Sequence, residues 1–242
     1  MIIKDKLYDT SMIKMLIFDV DNTITRWKNV KLFLKKALDN LEIPYSDAAL
    51  FGLFSAMKER ELHSVITGES GYDVYSSLLD FFIPDLKAYG KSGNDLREIM
   101  FELEPSETYV SEETVEEIKI LSEKYILICY TDWFWRQTYK KLERYGLESF
   151  FRAIHSSEDL YVKYSKIGFV YLAKKYNLSP KEIVHIGDSR NDIYPSSAAG
   201  LNSIYLNYQL DSEGITDEQR KLVDRASATV TQFGDIRKVL TK

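Results

Sequence analysis

The chain has 242 residues, 45% hydrophobic and 29% charged, with a formal net charge of −5. That is enough for one large domain or for a core with a smaller lobe. The absence of any Lys/Arg block argues against a dedicated nucleic-acid binder. A single cysteine, Cys129, excludes an internal disulfide, and no apolar run approaches the length of a membrane span.

Met1-Ile2-Ile3 passes at once into Lys4 and Asp5, so no leader is expected and the expected compartment is the cytoplasm. Residues 1–13 are mixed and polar and read as a loose arm. The first strand is expected at about 14–19, carried by Met15-Leu16-Ile17-Phe18. After Thr25 the spacing turns helical. Helices are expected over 27–41, over 47–62 with Ser46 as N-cap, over 73–82 and over 94–103, punctuated by Pro44, Gly68, Gly71, Pro84, Gly90 and Gly93. Residues 26–105 therefore read as an all-helical insert without a strand. Beyond it, expected strands at 125–130, 151–155, 183–186, 203–206 and 228–231 alternate with helices at 112–124, 136–145, 165–176, 192–199 and 234–240. Strands alternating with short helices imply βαβ units, hence a Rossmann-like α/β core with a parallel sheet, over 1–25 and 106–242.

Three of the apolar strands end in chemically loaded residues. The first runs into Asp19-Val20-Asp21, another into Thr131-Asp132, and a third into Gly187-Asp188. In a parallel sheet those ends share one edge, the edge where ligands bind. Each alone could be a surface turn, and Asp-x-Asp alone could be a metal clamp of another enzyme class. Together they bring carboxylates and a hydroxyl to one place. Crowded carboxylates suit a hard cation, Mg2+ best, and a cation there invites a phosphate. Lys163 and Lys166 lie at the same lip and are rival candidates to complete the phosphate cradle.

In this order the pieces resemble the haloacid dehalogenase superfamily in its phosphatase branch. The first motif is Asp19, Asp21 and Thr23; the second ends in Thr131; the third is Lys163 with Phe169; the fourth is Gly187, Asp188 and Asp192. The resemblance implies Asp19 as nucleophile and Asp21 as general acid, then base. It implies Thr131, Asp132 and Lys163 at the phosphate. It also implies Mg2+ held by Asp19, the backbone carbonyl of Asp21 and Asp188, with Asp192 either a further ligand or a support behind them. It makes the insert 26–105 a helical cap and the substrate a small phosphorylated metabolite, such as a nucleoside monophosphate or phosphoglycolate, for a monomer or homodimer. Asp21 speaks against dehalogenation, since a halide leaving group needs no proton.

Three departures stand out: Asp132 where Asn is usual, Tyr164 after Lys163 where Pro is usual, and the bulky run Trp133-Phe134-Trp135. The run either packs under the cap or stacks on an aromatic substrate. Further cap contacts are Trp27, Arg60 and residues 67–72, whereas His63, His155 and His185 match no catalytic position. Two rival readings keep the fold: a sugar phosphomutase and a catalytically idle binding protein.

Overall fold

A computed structural model describes residues 2–5, 10–46, 52, 85–156, 158, 163, 165–210 and 216–241. Met15–Phe18 forms β2, and all of it is buried. A strand buried on both faces needs neighbours on both edges and helices over both sides. It lies between β5 (Ile126–Tyr130) and β7 (Ile183–Gly187), parallel to each. Beyond β5 lies β6 (Ala153–His155); beyond β7 lie β8 (Asn202–Leu206) and β9 (Ala228–Val230), all in parallel.

Side-chain alternation sorts the strands' apolar residues between the two faces. Leu16, Phe18, Leu127, Cys129, Val184 and Ile186 pack with Ile118, Leu121 and Leu142. Met15, Ile17, Ile128, Tyr130 and Ile183 pack with Phe169 and Leu172. Cys129 belongs to this packing, and burial pushes its thiol well above its ordinary range. Gly168 makes room for Tyr130, whose hydroxyl would lie 1.9 Å from a Cβ built there. The helices over these faces begin at polar caps: Ser111 before Glu112–Ser122 and Ser165 before Lys166–Lys175.

The expectation of a loose N-terminal arm is corrected. Ile2–Asp5 forms β1, which closes the sheet's far edge antiparallel to β9. Four residues are too few to display a strand period, and the partner that fixes them lies at the other end of the chain.

The insert is also not strand-free. Arg26–Trp27 (β3) pairs antiparallel with Thr108–Tyr109 (β4), so the chain leaves and re-enters the core through one two-stranded ribbon. Trp27 is thus in a strand. The helix starts later, at Val30–Asn40, where the Asn29 side chain accepts from the Leu32 N–H. A short helix, Asp85–Ala88, follows Pro84. The helix expected over 94–103 runs instead from Gly93 to Glu107, through Pro105. Its last carbonyls find donors that sequence spacing does not reveal. The Lys28 ammonium and backbone N–H serve Ser106 and Glu107, and Arg144 serves Pro105.

Phe33, Leu34, Ala37, Leu38, Leu41, Leu96 and Met100 form a hydrophobic cluster separate from those of the sheet. The helices expected over 47–62 and 73–82, with Arg60, His63 and residues 67–72, lie outside the described residues apart from Gly52, which is helical. Among the described residues no helix is long and apolar enough to cross a membrane.

Candidate active site

The site begins where β2 stops. Asp19 follows Phe18 directly and is buried, and its N–H still donates to the Ile186 carbonyl of β7. The chain then turns on the Val20 carbonyl, which accepts from the N–H groups of Thr23, Ile24 and Thr25. Asn22 takes the left-handed conformation that this turn requires, with φ 61°. The turn folds Thr23 back so that its hydroxyl donates to Asp19 Oδ2 at 3.2 Å. Asp21 leaves on the same side, a quarter exposed, with its side chain at 23%.

β7 ends at Gly187, and the neighbouring helix Arg190–Ala198 brings Asp192 under the same lip. A Cβ at position 187 would sit 2.2 Å from Asp192 Cγ, so only glycine lets strand and carboxylate approach this closely. Carboxylate oxygens of Asp19, Asp188 and Asp192 all lie within 4.8 Å of one another. Lys163, only 3% exposed, is inserted among them, donating to Asp19 Oδ1 and to Asp192 Oδ1. Asp192 also receives the Ser189 hydroxyl at 2.6 Å and N–H at 3.0 Å, and its Oδ1 lies 3.1 Å from His185 Nε2.

These contacts set the charge states. Burial, and then the neighbouring Asp192 and Asp21, raise Asp19 to about 7 against the pull of Lys163. Burial and the other acids push Asp188 well above its ordinary range. At Asp192 burial also acts upward, but Lys163 and His185 outweigh it and hold the group low. Burial is also the main influence depressing His185, whose Nε2 is the ring atom beside Asp192. One ammonium among three clustered carboxylates leaves negative charge uncompensated. The donors are all hard oxygens, which fits a divalent cation such as Mg2+.

Thr131, at the end of β5, accepts the Trp133 N–H on its hydroxyl oxygen, leaving its own O–H to donate elsewhere. The Asp132 carboxylate accepts the backbone N–H of Lys163 at 2.7 Å and so ties the lysine's backbone to the end of β5, a bond an Asn carbonyl would also accept. Lys166 is exposed at the start of its helix, and Lys163 is the lysine brought to Asp19.

The aromatic run divides. The Trp133 indole N–H donates to Glu104 at 2.8 Å, Phe134 meets Phe101 edge-on at 4.8 Å, and Trp135 is exposed and stacked on Tyr139. The first two thus pack against the insert's long helix.

Sequence reasoning overlooked a second ion cluster. Lys141, fully buried, donates to Asp21 Oδ1 at 2.6 Å and to Glu104 Oε1 at 2.7 Å. Burial opposes its charge, yet Asp21 and Glu104 raise its pKa; burial raises Glu104 against Lys141. A lysine in a helix of basic residues reads as solvated surface. The available signal was phase: Lys141 shares the inward face with Gln137, Thr138 and Leu142.

Residues 13–200 match the family model described as haloacid dehalogenase-like hydrolase. A phosphoglycolate phosphatase of Haemophilus influenzae is 30% identical over 95 residues. The match spans 38% of this chain and 42% of that one, less than half of either. The fold is shared with Bacillus subtilis YfnB, a HAD-hydrolase solved bound to magnesium (TM-score 0.76, 21% identity, covering 95% of this chain and 99% of that one). It is shared too with a predicted phosphoglycolate phosphatase of Haemophilus somnus (0.67, 22%, 94% and 98%). A 2-haloacid dehalogenase of Pseudomonas syringae has the same fold (0.64, 18%, 94% and 98%).

Proposed function

This chain belongs to the haloacid dehalogenase-like hydrolases, and on that premise we propose that it is a Mg2+-dependent phosphatase acting on a small phosphomonoester through an aspartyl-phosphate on Asp19. The observation that carries the reading is the meeting of Asp19, Asp188, Asp192 and Lys163 beneath one strand edge, with Asp21 at its rim.

In the first step an Asp19 oxygen attacks phosphorus. The new O–P bond forms as the ester O–P bond breaks, and Asp21 gives its proton to the departing alkoxide. In the second step Asp21 takes a proton from water. The resulting nucleophile attacks the same phosphorus, freeing Asp19 and inorganic phosphate. The Lys163 ammonium and Thr131 hydroxyl hold the phosphoryl oxygens and match their charge. Asp19, Asp188, Asp192 and the Asp21 carbonyl would hold Mg2+, which when bound would supply further positive charge at those oxygens.

Asp21 also favours phosphate over halide, because only an alkoxide leaving group needs an acid. The partial likeness to a phosphoglycolate phosphatase supports that ester as a substrate to try first, with nucleoside monophosphates next. Residues 26–105, entered and left through the β3–β4 ribbon, act as the cap that excludes water over the ester.

The test is phosphate release from 2-phosphoglycolate, nucleoside 5′-monophosphates and p-nitrophenyl phosphate. Activity is expected with Mg2+, lost in EDTA, and lost in Asp19→Asn, which removes the attacking carboxylate. A wild-type chain inert toward the whole panel overturns the reading. Interconversion of sugar phosphates without net phosphate release replaces it with a mutase.

A further inference from the structure

The second ion cluster has a geometry that stability alone does not call for. Lys141 has no exposed side-chain surface, and Glu104 has none either. Burying an ammonium and a carboxylate is costly, and a well-packed apolar pair would fill the same volume at least as stably. The cluster does constrain Asp21. Its Oδ1 receives the Lys141 ammonium at 2.6 Å and shares the Thr25 hydroxyl, 3.3 Å away, with the Val20 carbonyl. No hydrogen bond reaches Oδ2 among the described residues, so Oδ2 is the oxygen left to face a leaving group.

The anchors come from separate parts of the fold. Lys141 stands in the core helix Trp135–Glu143. Glu104 stands in the insert's long helix, one turn before β4. Trp133, whose indole donates to Glu104 Oε2, stands in the loop that carries Thr131. One hydrogen-bonded chain therefore runs from Asp21 through Lys141 and Glu104 to the phosphate loop, and it crosses from core to insert.

We propose that Lys141 is a positioning residue for Asp21: held by Glu104, which Trp133 in turn anchors, its ammonium fixes Asp21 Oδ1 and so aims Oδ2 at the ester oxygen. This rests on the phosphatase reading, in which Asp21 is the general acid. The seat of the insert's helix then becomes part of what aligns the acid, since Glu104 moves with that helix.

The readout is leaving-group dependence. p-Nitrophenolate departs readily without a proton, whereas phenolate leans on the acid. The full chain in Mg2+ is assayed for kcat/KM on p-nitrophenyl phosphate and phenyl phosphate, as wild type, Lys141→Met, and Lys141→Met with Glu104→Gln. The double variant leaves no unpaired charge at Glu104 and serves if the single one fails to fold. Circular dichroism and thermal midpoint report folding. Loss of the positioned acid is expected to lower kcat/KM on phenyl phosphate about 100-fold, and at least about tenfold less on p-nitrophenyl phosphate. If neither neutral variant folds, Lys141→Arg, which keeps the charge but changes the reach, is judged by the same ratio. Equal losses on the two esters, or no loss, overturn the proposal. A wild type inert toward both esters counts instead against the phosphatase reading itself.

Discussion

Two buried lysines lie beside the two aspartates of one turn, and they sit in different surroundings. Lys163 joins Asp19 to Asp192 in a cluster that also includes Asp188, where acids outnumber bases and hard oxygens face one another within 4.8 Å. Lys141 joins Asp21 to Glu104 in a space with no exposed ammonium surface, and Trp133 takes up a Glu104 oxygen. The first cluster is short of positive charge and built of metal-ligand oxygens. The second also holds two carboxylates to one ammonium, but among the described residues Lys141, Thr25 and Trp133 bond three of their four oxygens and leave Asp21 Oδ2 open. On the proposed reading, the contrast places a cation beside Asp19, whereas protein groups hold the side chain of Asp21.

The sharpest way to break this contrast is to remove each lysine in turn. Lys163→Met and Lys141→Met are each expected to cost about 3–5 kcal/mol of stability, the usual effect of stranding a buried charge. Added Mg2+ should restore much of the loss in Lys163→Met, because a cation can replace the missing ammonium. It should restore little in Lys141→Met. Thermal melts with and without Mg2+ decide, and equal rescue of both variants would erase the distinction.

A smaller effect sharpens it further. Burial raises Asp19 from its ordinary 3.8 to about 7, and burial raises Asp188 in the same direction. Over that window the folded chain holds protons that the unfolded chain has released, so metal-free stability falls as pH rises from about 4 to about 7. Asp192 is shifted the opposite way, and its contribution is lost only below its ordinary range. A cation displaces those protons, so saturating Mg2+ should flatten the slope. The thermal midpoint across this range, with and without Mg2+, is expected to show a decline of a few degrees in EDTA alone; a flat metal-free profile would contradict the account.

What was legible in the sequence follows from where the information is local. Met15–Phe18 announces a buried strand by itself, and Asp19, Thr131 and Asp188 announce a shared edge because a parallel sheet aligns strand ends. The helices expected over 112–124 and 165–176 begin within one residue of those starts, at Glu112 and Lys166. β1, β3 and β4 were not, because two to four residues carry no period and their pairing is fixed by distant partners. The continuation of the long helix through Pro105 depends on Lys28 and Arg144, which spacing along the helix cannot show. The Lys141–Glu104 pair was hidden for the same reason: each looks like a solvated helix charge until the core and the insert are packed together.

The most direct measurement is a crystal grown with Mn2+ in place of Mg2+ and recorded at the manganese absorption edge. The account predicts a single anomalous peak bonded to carboxylate oxygens of Asp19 and Asp188, with Lys141 still joining Asp21 to Glu104. A peak between the side-chain carboxylates of Asp21 and Glu104, or no peak beside Asp19, would contradict it.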